Sequence, residues 1–500
     1  MRFSDFERGR RAAARTALYG GLALSLSLTL LAFHLGRPDP DLGLHVDWYH
    51  YPWESMEEVR LLQEYVRIDT TSDNGREIDG ARFLAARLEE AGIPYHLEAL
   101  GERHANLWAI LEGEERQALV LHNHIDTDPI RFPEVWQNDP LGGEVRPPYI
   151  IGRGVFDMKS VAIAQLLAFI ELKKTGVTPR RSVIFLATSS EEVGSDLGTR
   201  WVLREHPELR ERMWGVLTEG GVLEMRDLDD LKYWGIELAQ KTFVDLWVCS
   251  EHREPLEELR QDLLEIGLPI EGLRAPEEVR SFLEVYAPTR DDPELVERLS
   301  DLDSLLASPG EFLKLSPYLR SLFRDEAVAF PVEKVEGGGF RMRVKLHLLP
   351  GTDAEEARRR LLPPGLFHGF EVIWEDPLPP HHGSSSDHPL FLTAAKLMRE
   401  RRPDAVVGPV FLPWTATDSR FFRAAGIPSY GFSPFTFSSF ETYRVGGPHE
   451  RVSLLGYAEG VSLYKDLLGE LVGVEIPNPP LEERVDRLRR ESERSGADKE

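Results

Sequence analysis

The chain has 500 residues, 42% of them apolar, a formal net charge of −25 and one cysteine, Cys249. That length predicts more than one folded domain, and the apolar fraction is enough for a sizeable core. The negative charge argues against a nucleic-acid partner, whose phosphates need a basic face. A single cysteine excludes an internal disulfide and any zinc site built from cysteines.

No residue between Arg15 and Arg37 carries a fixed charge, and most of the stretch from Leu18 to Phe33 is apolar. A helix of about 20 apolar residues spans a bilayer. Arg2, Arg8, Arg10, Arg11 and Arg15 precede the stretch, and Asp39, Asp41 and Asp47 follow it. The positive-inside rule then makes residues 1–36 a basic cytoplasmic stub and transmembrane anchor. The body is expected outside the cytoplasm, periplasmic or extracellular. A cleaved signal peptide is the alternative and would make the protein secreted, but Leu30-Leu31-Ala32-Phe33-His34 lacks the small residues of a cleavage site.

Residues 37–53 read as a linker. A helix follows over 56–68, with Val59, Leu62 and Val66 on one face, and another over 79–91, stopped by Gly92 with Pro94 beyond. Apolar runs at 117–121, 182–188 and 214–218 predict buried strands, with a helix at 160–174 between the first two. This alternation predicts an α/β domain with a mostly parallel sheet, its first part at 54–235. Period-two strands at 239–249 and 341–348, with charged helices at 254–266 and 292–306, indicate an inserted α+β lid domain at 236–376. The α/β pattern resumes at 377–475 with a helix at 389–400 and strands at 406–411 and 428–432. The charged tail, 476–500, is expected to be a solvated helix or disordered.

Four stretches just past apolar runs carry candidate chemistry. They are His124-Ile125-Asp126, the segment from Gly152 to Lys159 that contains Asp157, Ser190-Glu191-Glu192, and Thr218-Glu219-Gly220-Gly221. Without thiolates, zinc is held by imidazole and carboxylate. A two-zinc centre needs a bridging carboxylate, terminal ligands and a carboxylate base. Asp157, after the turn permitted by Gly152 and Gly154, is the candidate bridge. His124 and Glu219 are candidate terminal ligands, and Asp126 can hold the far nitrogen of the His124 imidazole. Glu191 and Glu192 point in different directions at a strand end, so one can bind metal while the other acts as base.

This series resembles the two-zinc exopeptidases and deacylases: aminoacylase, carboxypeptidase S, succinyl-diaminopimelate desuccinylase and the N-fatty-acyl-amino-acid hydrolases. The resemblance covers about residues 54–470. It is supported by Asp69-Thr70-Thr71-Ser72, His104-Ala105-Asn106-Leu107, Leu349-Pro350-Gly351-Thr352-Asp353 and Thr417-Asp418-Ser419-Arg420-Phe421-Phe422. It implies a zinc-exopeptidase-like catalytic domain carrying the lid. His124, Asp157, Glu192 and Glu219 become ligands, Glu191 the general base and Asp126 the orienting carboxylate. One or two Zn2+ ions are implied, with Co2+ or Mn2+ as substitutes. Arg420 is similar to an arginine that meets the substrate carboxylate; a salt bridge to Asp418 is its alternative.

Three positions depart from the family pattern. The last ligand, a histidine four residues before a glutamate, is replaced by Gly446, and His449 lies three residues later as a candidate stand-in. The lid motif Gly-His-Ser-Ser is reduced to His252 within Ser250-Glu251-His252-Arg253. The family arginine before Leu-Leu-Pro-Gly is His347. The expected function is therefore zinc-dependent hydrolysis of an amide bond in small peptides or N-acyl amino acids. Its alternative is a catalytically degenerate, membrane-anchored binding protein of the same fold. The membrane is the expected partner of the N-terminal helix, and a homodimer through the lid is a further expectation.

Overall fold

Every residue of Arg181–Thr188 is buried, and a strand buried on both faces belongs at the centre of a helix-covered sheet. The computed structural model describes residues 48–497, apart from 226–230, 267–271, 336, 364, 376 and 437–438. The expected anchor lies outside these residues. Among the described residues no helix is long and apolar enough to cross a membrane.

The strands in chain order are β1 (Tyr95–Leu100), β2 (His104–Leu111), β3 (Glu115–His124), β4 (Glu144–Arg146), β5 (Tyr149–Ile151), β6 (Arg181–Thr188), β7 (Met213–Thr218), β8 (Val222–Met225) and β9 (Leu231–Gln240). They continue as β10 (Thr242–Ser250), β11 (Glu326–Ala329), β12 (Glu333–Lys334), β13 (Phe340–Leu348), β14 (Glu371–Trp374), β15 (Val406–Leu412), β16 (Ser429–Gly431) and β17 (Arg451–Ser453). The main sheet has the order β1-β2-β6-β3-β7-β16-β9-β15, with β8 added on β9. β3 is parallel to β6 and β7, β7 to β16, and β9 to β15. β1, β2 and β8 pair antiparallel, as does β16 with β9. The sheet is therefore mixed, with a parallel centre, where sequence reading expected it mostly parallel.

Alternation along β3, β6 and β7 divides the core into two layers. Ala118, Val120, Ile184, Leu186 and Val216 pack with Val202, Phe421 and Phe422 on one face. On the other, Phe185 meets Phe169 of the helix Ser160–Lys174, which packs in turn on the helix Leu454–Val472. The single cysteine, Cys249, is free.

β10, β11, β12, β13 and β14 form a second, wholly antiparallel sheet. Val244, Leu246, Val248, Met342, Val344 and Leu346 turn into an apolar core on one face. The intervening residues, Phe243, Asp245, Trp247, Arg343 and Lys345, line a cleft.

The strand expected over 239–249 is two strands. β9 ends in the main sheet at Gln240 and β10 begins the second sheet at Thr242. Between them the Lys241 ammonium is buried, 2.8 Å from Glu326 Oε2, and donates to Ser321 Oγ at 3.0 Å. The helix expected over 292–306 divides into Pro293–Ser300 and Leu302–Ala307, because Asp301 caps the second by accepting from the Ser304 N–H. The tail forms the helix Leu481–Ala497.

His347 packs its ring 4.4 Å from that of Phe243, and its buried Nδ1 has no hydrogen-bond partner among the described residues. Burial, aided by the Lys241 charge, pushes its pKa from 6.5 down to about 4. Its folded pKa is thus depressed, so as pH falls below 6.5 the unfolded chain takes up the proton first and stability is lost, down to about pH 4. The total loss from this group is at most about 3 kcal/mol. Denaturant titrations between pH 7 and 4.5 should show a steeper loss of stability in wild type than in His347→Leu; parallel curves would contradict the assignment.

Candidate metal centre

The parallel strands of the main sheet end at one edge, where an α/β sheet gathers its site residues. β3 delivers His124, β6 leads into Glu191 and Glu192, and β7 into Glu219. Asp157 arrives from the loop after β5. Gly154 has φ +76°, and a Cβ there would lie 2.2 Å from Thr127 Cγ2, so the turn before Asp157 requires glycine.

His124 Nε2 lies 3.1 Å from Asp157 Oδ1 and 3.6 Å from Glu219 Oε1. Its Nδ1–H donates to the Asp126 carbonyl at 2.9 Å, so Nε2 is the nitrogen that faces the acids, donating to Asp157 Oδ1 here and free to bind a cation once it gives up that proton. Ligand atoms of His124, Glu191 and Glu219 lie within 4.8 Å of one another, as do those of His124, Asp157 and Glu192. The structure thus brings five sequence-predicted residues into two groups that share one imidazole.

The role expected for Asp126 is modified. Its carboxylate is 3.6 Å from the imidazole and instead accepts the Glu191 and Glu192 N–H groups, both at 2.9 Å. It holds the turn that presents the two glutamates. Glu77, not singled out in the sequence, does the same one residue earlier by accepting from the Ser190 N–H at 3.1 Å.

The acids here are too crowded to be stable as anions without a counter-charge. Burial pushes Glu219 up to about 8, with the Asp157 charge adding to it. Burial, then the Asp157 and Glu191 charges, holds Glu192 well above the carboxylate range. Glu192 Oε1 is buried with no hydrogen-bond partner among the described residues, a costly state that a cation would relieve. Oxygen and imidazole donors converging on buried space fit one or two divalent ions.

Three expected residues are placed elsewhere. His449 has φ +59°, and this left-handed turn sends its ring to Trp136, 5.7 Å between centroids. It belongs to neither group. At Gly446, φ +66°, a Cβ would stand 2.3 Å from Asp128 Oδ2, so that carboxylate occupies the space of a side chain there. His252 is exposed at the end of β10, its N–H donating to Ser250 Oγ, and it does not line the cleft. Arg420 does line it, with Nη1 3.9 Å from Glu191 Oε1. The alternative Asp418 pairing is not formed, because Asp418 accepts from Thr199 at 2.6 Å and from Ser195.

Sequence reading used Glu450 only to mark the place of Gly446 and gave it no role. Its buried carboxylate accepts from the Phe156 N–H at 2.8 Å, Asp157 N–H at 3.1 Å, Gly154 N–H at 3.2 Å and Arg153 Nη1 at 2.6 Å. Its signal in the sequence is its place four residues after Gly446, that of the glutamate in the family pattern. The two groups open into a cleft of about 960 Å³ between the two sheets.

The pattern described as "Peptidase family M20/M25/M40" matches residues 120–470. Aminoacylase-1 of Mus musculus is 23% identical over 446 residues, 85% of this chain and 97% of its own length. Succinyl-diaminopimelate desuccinylase 2 of a Ruegeria species is 34% identical over 153 residues, 30% of this chain and 37% of its own. Among solved structures, an M20 family metallo-carboxypeptidase from Sulfolobus solfataricus superposes with a TM-score of 0.65 at 18% identity, covering 83% of this chain and 98% of that one. Human carnosine dipeptidase 1 gives 0.61 at 14% identity, covering 84% and 96%. At these identities the superpositions show the fold.

His124→Ala removes the imidazole common to both groups, so dialysed protein should lose most bound metal by elemental analysis. His449→Ala should keep the wild-type stoichiometry. Loss of one equivalent on His449→Ala would return that residue to the ligand set.

Proposed function

We propose, for a chain that belongs to the peptidase family M20/M25/M40 and is an enzyme that hydrolyses amide bonds, that it is a zinc-dependent hydrolase of small peptides or N-acyl amino acids with a free carboxylate. His124, Asp157, Glu192 and Glu219 would hold one or two ions. Bound there, zinc would polarise the scissile carbonyl and make a water nucleophilic at neutral pH.

The observation that carries the reading is the state of Glu191. It lines the cleft and belongs to the group with His124 and Glu219. Among the described residues its carboxylate accepts no hydrogen bond, and its nearest cation is Arg420 Nη1 at 3.9 Å. Burial, then the Asp418 charge, pushes its pKa well up; a cation held by the neighbouring acids would let it ionise and act as a base. Glu191 takes the proton of the attacking water on a carboxylate oxygen and then delivers it to the leaving nitrogen. Such a free carboxylate has no structural duty, which favours turnover over mere binding. The second sheet, β10 to β14, acts as the lid in this reading. The uncharged stretch before Arg37 supports a membrane-anchored body outside the cytoplasm, or a secreted one if the stretch is cleaved; protease accessibility of intact cells would test it.

Glu191→Gln preserves size and removes the base. Turnover of an N-acyl amino acid or dipeptide should fall by about 10²–10⁴-fold, with metal content and circular dichroism unchanged. Near-wild-type turnover would remove Glu191 from the mechanism.

A further inference from the structure

Asp418 stands at the start of the helix Ser419–Ala424, yet its carboxylate does not cap that helix. An aspartate in this place usually accepts the first free N–H groups. Here the side chain is buried and turned to other partners. Its Oδ1 accepts from Ser195 Oγ, and its Oδ2 accepts from Thr199 Oγ1 at 2.6 Å. A buried acid is thus spent on two hydroxyls from the far side of the site.

Ser195 closes the turn that carries Glu191 and Glu192. Its N–H donates to the Ser190 carbonyl at 2.6 Å. Both ends of the turn are left-handed, Ser190 at φ 61° and Ser195 at φ 63°. Asp126 and Glu77 hold the near end through the N–H groups of Ser190, Glu191 and Glu192. The bond from Ser195 to Asp418 ties the far end.

Thr199 extends the tie into the sheet. It gives its proton to Asp418, so its lone pair takes the bond from His122 Nε2, at 3.0 Å. His122 also meets Thr188 Oγ1 and Thr218 Oγ1, both at 2.9 Å. Thr188 ends β6 just before Glu191, and Thr218 ends β7 just before Glu219. All of these residues are buried. On the other side of Asp418, the same helix carries Arg420, whose Nη1 is 3.9 Å from Glu191 Oε1. One carboxylate therefore references the turn that presents Glu191 and the helix that sets a cation beside it.

We propose that Asp418 is a positioning residue for Glu191, locking the turn 190–195 through Ser195 and Thr199 so that the Glu191 carboxylate keeps its place in the cleft. The proposal rests on the reading of Glu191 as the base. Asp418 itself does not line the cleft and acts without touching substrate. Hydroxyl-to-carboxylate bonds are charge-assisted and stronger than neutral ones, and a buried network works best when complete. Asparagine at 418 keeps the size but offers one acceptor oxygen instead of two, so one hydroxyl loses its acceptor.

The test uses the zinc-loaded full chain with N-acetyl-leucine. Asp418→Asn should lower kcat about tenfold or more, with KM within about twofold of wild type and zinc content unchanged. Ser195→Ala and Thr199→Val should each reproduce part of that loss. Asp418→Asn combined with Ser195→Ala should lose little more than Asp418→Asn alone, because the two residues share one bond. Losses that multiply in the double variant overturn the inference, as does a wild-type kcat in Asp418→Asn. Where Asp418→Asn does not fold, Ser195→Ala and Thr199→Val carry the same test. Hydrogen exchange gives a readout free of turnover. The peptide covering 189–196 should exchange about tenfold faster in Asp418→Asn, while β2 and the second sheet keep their rates. That result supports the locked turn even where wild type cleaves nothing, an outcome that sinks only the hydrolase reading. Unchanged exchange in this peptide overturns the inference and leaves the hydrolase reading intact.

Discussion

The carboxylate of Glu450 is the point on which the candidate site hangs. It collects three backbone N–H groups and one guanidinium from residues 153–157, nearly the length of the catalytic body away in sequence. Arg153 extends the tie by donating to the Gly446 carbonyl at 3.0 Å. On the next residues, β17 pairs with β5, Arg451 opposite Ile151. The loop that presents Asp157 is thus sewn to the returning C-terminal segment. Breaking one partner of such a buried pair costs about 3–5 kcal/mol, because the other charge is left uncompensated. Burial pushes Glu450 up to about 7, against the pull of Arg153. The energy that holds Asp157 in place therefore comes from a contact formed only when both ends of the catalytic fold meet.

A second set of struts works on the other side. Asp126 and Glu77 accept backbone N–H groups of Ser190, Glu191 and Glu192, and Ser190 sits in the left-handed region at φ 61°. Carboxylates here shape the backbone around other carboxylates. Placing so many acids in buried space opposes folding unless a cation is present. Metal affinity and fold stability are consequently coupled at this edge of the sheet.

The order of the site was legible because chemistry recurs at strand ends. His124, Asp157, Glu191, Glu192 and Glu219 each follow an apolar run or a glycine turn, and the structure gathers all five. What was not legible depends on backbone direction. A histidine three residues from its expected place looks like a substitute ligand until φ at His449 sends the ring to Trp136. Asp126 could be placed near His124 by spacing, but its preference for the Glu191 and Glu192 amides is a tertiary choice. The mixed sheet escaped for a related reason: β1 is largely exposed at the sheet margin and has no continuous apolar run, and β2, though it carries the apolar run Leu107–Leu111, gives no local sign of its antiparallel direction. Sequence reading passed over the helix Leu454–Val472 although Leu454, Tyr457, Val461, Tyr464 and Leu468 follow its period, whereas the split at Lys241 leaves no local pattern.

That split governs the cleft. One residue, Lys241, joins β9 of the main sheet to β10 of the second, so the direction of the roof is passed through a single peptide on each side. A free single-residue joint would let the roof swing. Here its ammonium is buried against Glu326 at the start of β11, and Glu326 also accepts from Arg324 Nε at 2.9 Å. On the main-sheet side of the joint, Glu237 of β9 is gripped by both Arg423 nitrogens at 2.7 and 2.8 Å. Buried bidentate pairs fix orientation more surely than they add net stability. The period-two pattern of β10 and β13 then decides which side chains face the acids, since a one-residue slip would turn Val244, Val344 and Leu346 into the cleft and drive Asp245 and Lys345 into the apolar core. The chemistry of the roof is therefore set by register, and the register is anchored by the same buried charges that fix the joint.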